Sequence, residues 1–88
     1  MKIYTIYDRK GEIMAPPFPA VNNALAIRQF QFLCTRPGSV EQPNTLHDCP
    51  EDFALYYIGE FDDKTMKYTE NYPATLLSSA LDYVSVKE

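Results

Sequence analysis

Seven prolines, at positions 16, 17, 19, 37, 43, 50 and 73, divide the chain before any propensity is considered. Proline fixes φ and has no amide hydrogen, so it interrupts helices and central strands. What remains is an opening stretch that ends at Ala15, one from Ala20 to Arg36, one from Glu51 to Tyr72, and a piece after Pro73. Each has room for one or two short elements.

Lys2–Asp8, KIYTIYD, is rich in β-branched and aromatic residues and reads as a strand. Arg9–Glu12 reads as a turn, and Ile13–Ala15 as a short extended piece. Pro16, Pro17 and Pro19 are expected to stop regular structure there, with Phe18 plugging into the core. The segment VNNALAIRQFQFLCTRPG is the best helix. Asn22 or Asn23 can cap it, Arg36 in its last turn complements the helix dipole, and Pro37–Gly38 ends it. At 100° per residue, Ala26, Ile27, Phe30, Leu33 and Cys34 fall within an arc of about 120°, the stripe expected to face a sheet.

Residues 37–51 read as a long, variable and mobile loop, with a helical turn at Pro50–Phe53 capped by Asp48. FALYYIGEF, residues 53–61, reads as the central strand, Asp62–Thr65 as a turn and Met66–Glu70 as the returning strand. Residues 74–84 fit two descriptions: a helix with Leu76, Leu77, Ala80, Leu81 and Val84 on one side, or an irregular tail with a final strand at Tyr83–Val86. The expected fold class is α+β: one domain over residues 1–88, a small three-stranded, mostly antiparallel sheet with one helix packed on one face in β-α-β-β order, and the C-terminal helix left open. In residues 53–61, Phe53, Leu55, Tyr57 and Phe61 share one side and Tyr56, Ile58 and Glu60 the other; in the first strand Ile3 and Tyr7 share one face and Tyr4 and Ile6 the other, so both sheet faces are partly apolar. The face without the helix calls for cover from the tail, another subunit or a ligand.

A chain of 88 residues makes only a modest core. A homodimer would add burial. Charge is unevenly placed: residues 1–36 hold five basic and two acidic residues, a net of +3, and residues 37–88 hold three basic and ten acidic, a net of −7. The total of −4 argues against a generic polyanion binder but leaves room for a basic face in the first third. No apolar run approaches the ~18 residues of a membrane-spanning helix. The start is strand-like, without the apolar core of a signal peptide, and two cysteines are too few for a secreted disulfide scaffold. Reduced thiols in the cytoplasm are therefore expected.

No catalytic constellation stands out. His47–Asp48–Cys49 could suggest a thiol and its base, but neighbours in a loop rarely point at each other, and a polar loop beside a helix cap is the plainer reading. The paired close spacings of a zinc site are absent. Glu60, Asp62 and Asp63 form an acidic corner that could hold a divalent cation, though Asp in a turn ordinarily caps its own backbone. Gly11, Gly38 and Gly59 are too few and too scattered for a phosphate loop. The expectation is a non-enzymatic protein with no cofactor and no metal.

The most informative feature lies on the helix opposite the core stripe. Leu25, Arg28, Phe32 and Arg36 share that side, and the last three step by four residues into one ridge. A Phe between two Arg there has three explanations: nucleic-acid contact, with the ring on unpaired bases and the guanidiniums on phosphates; a protein interface, where both residue types are enriched; or cover by the chain's own loop or tail.

The order KIYTIYDRKGE, then APPFPAVNNALAIRQF, then PEDFALYYIGEFDDKT resembles the small nonstructural protein of gokushovirus-type microviruses, bacteriophages with single-stranded DNA genomes. The resemblance covers residues 1 to about 66. It implies an accessory role in viral single-stranded DNA synthesis or packaging in the host cytoplasm, and it supplies no functional residues. The candidate contact set, inferred from the residues themselves, is Arg9, Lys10, Arg28 and Arg36 for phosphates and Phe32, with Tyr4 or Tyr56, for stacking. The expected partners are single-stranded DNA or viral replication and packaging proteins. The alternative is a module that binds a host or viral protein without touching DNA, through the acidic second half or the Leu25/Phe32 patch.

Overall fold

In the computed structural model, which describes residues 1–84, strand β1 (Lys2–Asp8) has neighbours on both sides and organises the sheet. On one side it pairs antiparallel with β2 (Ile13–Met14) and β3 (Phe18–Ala20). On the other it pairs with β4 (Phe53–Asp62), which in turn pairs with β5 (Lys67–Ser79), so the order is β2-β1-β4-β5 with β3 also beside β1. Helix α1 (Asn23–Thr35) and a short α2 (Thr45–Asp48) connect β3 to β4, and 3₁₀ turns form at Pro50–Asp52 and Ala80–Asp82.

This corrects the expected three-stranded β-α-β-β arrangement: the protein is mostly β, with a five-stranded antiparallel sheet and one main helix. Two misreadings account for the difference. Pro16 and Pro17 do separate β2 from β3, but Pro19 stands within β3, opposite Ile3 on an edge strand where a missing amide hydrogen deprives no neighbour. The helix over 74–84 does not form. Residues up to Ser79 belong to β5, and only Ala80–Asp82 turns, held by a capping box between Ser79 and Asp82. The strand wins because Ala54–Tyr57 would otherwise be an open edge; they pair instead with Ser79, Ser78, Leu76 and Thr75. Tyr83 caps that last turn and is not in a strand, and Ser85 and Val86 of the alternative tail strand lie outside the described residues.

The two tight turns are built alike. The Asp8 carboxylate accepts the amides of Lys10 and Gly11 at 3.0 and 3.1 Å, and that of Asp62 accepts the Lys64 amide at 2.9 Å. Each loop closes on a left-handed residue, Glu12 at φ 54° and Met66 at φ 61°. Between the two ends of β5 the register jumps: Tyr57 pairs with Thr75, but Gly59 pairs with Glu70. The extra β5 residues bulge outward, through a cis Tyr72–Pro73 peptide. The Asn71 side-chain amide fills the gap in the ladder, donating to the Tyr57 carbonyl at 3.2 Å and to the Thr75 hydroxyl at 2.8 Å.

Asn22 caps α1 by accepting the Leu25 amide at 2.9 Å. Ala26, Phe30 and Cys34 are buried and Ile27 is half-buried. Leu33, expected in the stripe, is instead 40% exposed: the i, i+4, i+8 row takes the sheet contact and leaves it at the margin. Arg36 is the residue after the helix and not part of its last turn. The terminal carbonyls are met by Asn44, whose amide donates to Leu33 and Arg36 at 2.7 Å each while its side-chain oxygen accepts the Leu46 amide and caps α2. Residues 37–51 are thus tied down and partly helical. Asp48 belongs to α2 and does not cap the turn at Pro50.

The core lies between α1 and one sheet face: Tyr4, Ile6 and Leu55 from the sheet, Ala26, Phe30 and Cys34 from the helix, closed by Ala20 and Ala80. Tyr4 is fully buried, flanked by the rings of Phe18 and Tyr57 at 5.9 and 5.6 Å, and its hydroxyl donates to Asn23 at 2.7 Å. Phe18 packs on the core as expected.

A candidate contact surface on the outer face of α1

The sheet-facing row of α1 fixes which residues face away from the sheet. Arg28, Phe32 and Arg36 are all exposed, Phe32 at 58%, so neither the 37–51 segment nor the described part of the tail covers the ring. The Arg36 guanidinium stands 4.6 Å from the Phe32 ring centre, within cation–π range, and holds one side of the ring. Arg28, Gln29, Phe32 and Leu33 line a shallow depression beside it. A second hollow continues from Leu33 and Arg36 to Pro43, Asn44 and Leu46. The surface thus joins a ring, an exposed Leu and two cations, one of them set against the ring.

Leu33 and Gln29 are the members that periodicity missed. Leu33 was expected within the core stripe; at 100° per residue it lies at one end of that arc, and only this position signals that it borders the outer side.

Arg9 and Lys10 are exposed, but they sit in the β1–β2 turn. The Arg9 amide donates to the Asp52 carbonyl at 2.7 Å, and Lys10 borders a cleft with Asp8, Thr45 and Asp52. Neither residue lines the depression at Phe32. Tyr4 cannot stack on a base, because it is sealed in the core. Tyr56 is half-buried on the sheet face away from α1, where its ring meets that of Tyr7 edge-on at 6.2 Å. The structure therefore groups Arg28, Phe32 and Arg36 and leaves Arg9, Lys10, Tyr4 and Tyr56 elsewhere.

Other reactive groups have structural surroundings. His47 does point at its neighbour, with Nδ1 3.0 Å from an Asp48 carboxylate oxygen, but among the described residues no hydrogen bond brings Cys49 to that pair. Burial pushes the Cys34 thiol up to about 11, the opposite of an activated nucleophile. Burial, and then Tyr57, raises the Tyr4 hydroxyl. The Lys64 amide lowers the Asp62 carboxyl. Glu60, Asp62 and Asp63 line a hollow that also holds Lys67 and Met1, whose ammonium donates to the Phe61 carbonyl at 3.0 Å. Cys49, Glu51 and Asp52 bring three ligand atoms, one thiol and two carboxylates, within 4.8 Å of one another. Among the described residues no helix is long and apolar enough to cross a membrane.

Residues 1–83 match the family described as Phage ORF5 protein. "Protein ORF5" of Chlamydia phage 1 is 41% identical over 66 residues, which is 70% of this chain and 64% of that relative, so the chain matches just under two thirds of the relative's length. No solved structure matches the chain.

Proposed function

The chain belongs to the Phage ORF5 protein family, the small nonstructural proteins of gokushovirus-type microviruses, and from that premise we propose that it is a non-enzymatic accessory protein that assists viral single-stranded DNA synthesis or packaging in the host cytoplasm by binding single-stranded DNA weakly through the outer face of α1. The observation that carries this reading is the exposed Phe32 ring, with the Arg36 guanidinium against it and Arg28 lining the same depression on the outer side of α1. An unpaired base offers a face to the ring, and the backbone offers phosphates to the guanidiniums. Arg28 and Arg36 are two helical turns apart, about 12 Å along the axis, so the ridge addresses a short stretch of strand. With few cations and a net charge of −4, binding is weak and salt-sensitive.

The test is fluorescence anisotropy with labelled single-stranded and duplex oligonucleotides across a salt series. Two engaged phosphates give a slope of log affinity on log salt near −1.4, at about −0.7 per phosphate on a single strand. Arg28→Glu with Arg36→Glu abolishes binding while the circular dichroism spectrum stays unchanged. Unaltered affinity of that double variant at low salt removes the ridge from the account.

A second reading has its own observation: exposed Leu33 extends the Phe32 patch, and an apolar patch rimmed by Arg also fits a viral or host protein. A pull-down treated with nuclease separates the two. Partners kept after nuclease, and lost on Leu33→Glu, select the protein reading.

A further inference from the structure

One layer of the molecule is missing a neighbour. Helix α1 covers the sheet face that carries Tyr4, Ile6 and Leu55. Pleating and register put Ile3, Tyr7, Met14, Tyr56, Leu76 and Tyr68 on the other face. None of these six joins the core cluster, and Met14, Leu76 and Tyr68 are exposed. The rows run across the strands: Met14 lies opposite Tyr7, Tyr56 opposite Leu76, and the Tyr7 and Tyr56 rings touch. Among the described residues that the register assigns to this face, Glu70 alone is charged.

We infer that this uncovered sheet face is the interface of a homodimer, in which two copies pack face to face about a two-fold axis as a sandwich with α1 on each outer side. Area and charge select a second copy as the occupant. The chain exposes 6228 Å², whereas a compact monomer of 10.1 kDa exposes about 5,300 Å². The excess, roughly 900 Å², is close to the ~800 Å² that one partner contributes to a standard interface. The molecule is elongated, at 47 × 22 × 21 Å, and the register lays this face across four strands. Most other surfaces belong to an acidic chain and would meet their own copy with like charge, but this face brings almost none. The same scarcity of cations disfavours a nucleic acid here, although the rings could stack on bases. Tyr and Met are also the residues that interface centres favour. The inference is independent of what α1 binds.

Sedimentation equilibrium of the full chain, from micromolar to sub-millimolar concentration, tests it. The expected mass is twice 10.1 kDa. Leu76→Glu and, separately, Met14→Glu are expected to weaken the dimer at least tenfold with an unchanged circular dichroism spectrum, because both side chains are exposed in the single copy and neither belongs to the core cluster. Phe32→Glu, on the opposite side of the molecule, leaves the dimer intact. Should one of the two sheet variants fail to fold, the other carries the test. A monomer at every concentration overturns the inference. So does a dimer that survives both sheet variants, a dimer broken only by Phe32→Glu, or a monomer whose Tyr56→Ala variant loses oligonucleotide binding.

Discussion

The ring of Tyr68 occupies the space over Gly59, and its hydroxyl donates to the Ile58 carbonyl at 2.8 Å. The two residues are diagonal neighbours across β4 and β5, since Phe61 pairs with Tyr68 and Gly59 with Glu70. A Cβ on residue 59 would overlap the Tyr68 hydroxyl and lie 2.7 Å from the Thr69 carbonyl. Gly59→Ala is therefore expected to cost about 1–3 kcal/mol, as overpacking does. Adding Tyr68→Ala recovers only part of the loss, because the Thr69 carbonyl belongs to the backbone and cannot swing away. A double-mutant cycle by urea denaturation measures both effects.

Two phenylalanines on α1 give a sharp contrast. Phe30 is fully buried against the sheet and Phe32 is 58% exposed. Phe30→Ala should destabilise by about 3–5 kcal/mol. Phe32→Ala should cost under about 1 kcal/mol, the worth of its exposed contact with Arg36, while removing oligonucleotide binding. Thermal melts and anisotropy on the same two samples check this.

Asn44 joins two helices with one side chain, donating to the Leu33 and Arg36 carbonyls and accepting the Leu46 amide. Asn44→Ala is expected to cost about 2 kcal/mol, the sum of a lost cap and unmet carbonyls. Asn44→Asp separates the two roles. It keeps the acceptor that caps α2 but sets a carboxylate against the α1 carbonyls, so it destabilises even though Asp is a good capping residue. Urea midpoints of the two variants decide.

These relationships also mark what sequence reading could reach. Strand β1, helix α1 and the first half of the β4–β5 hairpin declare themselves through local pattern: β-branched and aromatic residues in KIYTIYD, a 3.6-residue apolar row, and turn residues at Asp62–Thr65. The same row placed Phe32 on the side away from the sheet, but whether the chain's own loop or tail covers the ring was open until the structure showed it exposed. The second half of β5 was hidden because Leu76, Leu77, Ala80 and Leu81 carry helical spacing by coincidence, and only the pairing needs of Ala54–Tyr57, twenty residues earlier, override it. Strand β3 was hidden because Pro19 looks like a breaker unless the strand is known to lie at an edge. Asn44 could not be read as a cap for α1, because its partners are 8 and 11 residues away and the loop between them must fold first.

The two thiols should behave oppositely. Cys34 is fully buried and Cys49 is partly exposed. A thiol reagent at neutral pH should modify Cys49 in the folded chain and reach Cys34 only on unfolding. The pH dependence of stability has a definite sign. Folding raises the Cys34 thiol from 9.0 to about 11, so the unfolded chain ionises first. The folded state is unaffected below pH 9 and loses about 2–3 kcal/mol as pH climbs from about 9 to about 11. Tyr4, raised by burial, acts in the same direction at the alkaline end. Urea midpoints between pH 7 and 11 should hold level and then fall, and Cys34→Ala, though less stable throughout, should show a shallower descent.

The protein is one helix and one sheet thick, about 21 Å through its shortest axis. Helix α1 lies on one side of the sheet only, so the outer face of α1 and the bare sheet face stand a single helix and a single sheet apart. If both proposed contacts form, the ligand of α1 and the second copy would therefore be held on opposite sides of one sheet, neither obstructing the other.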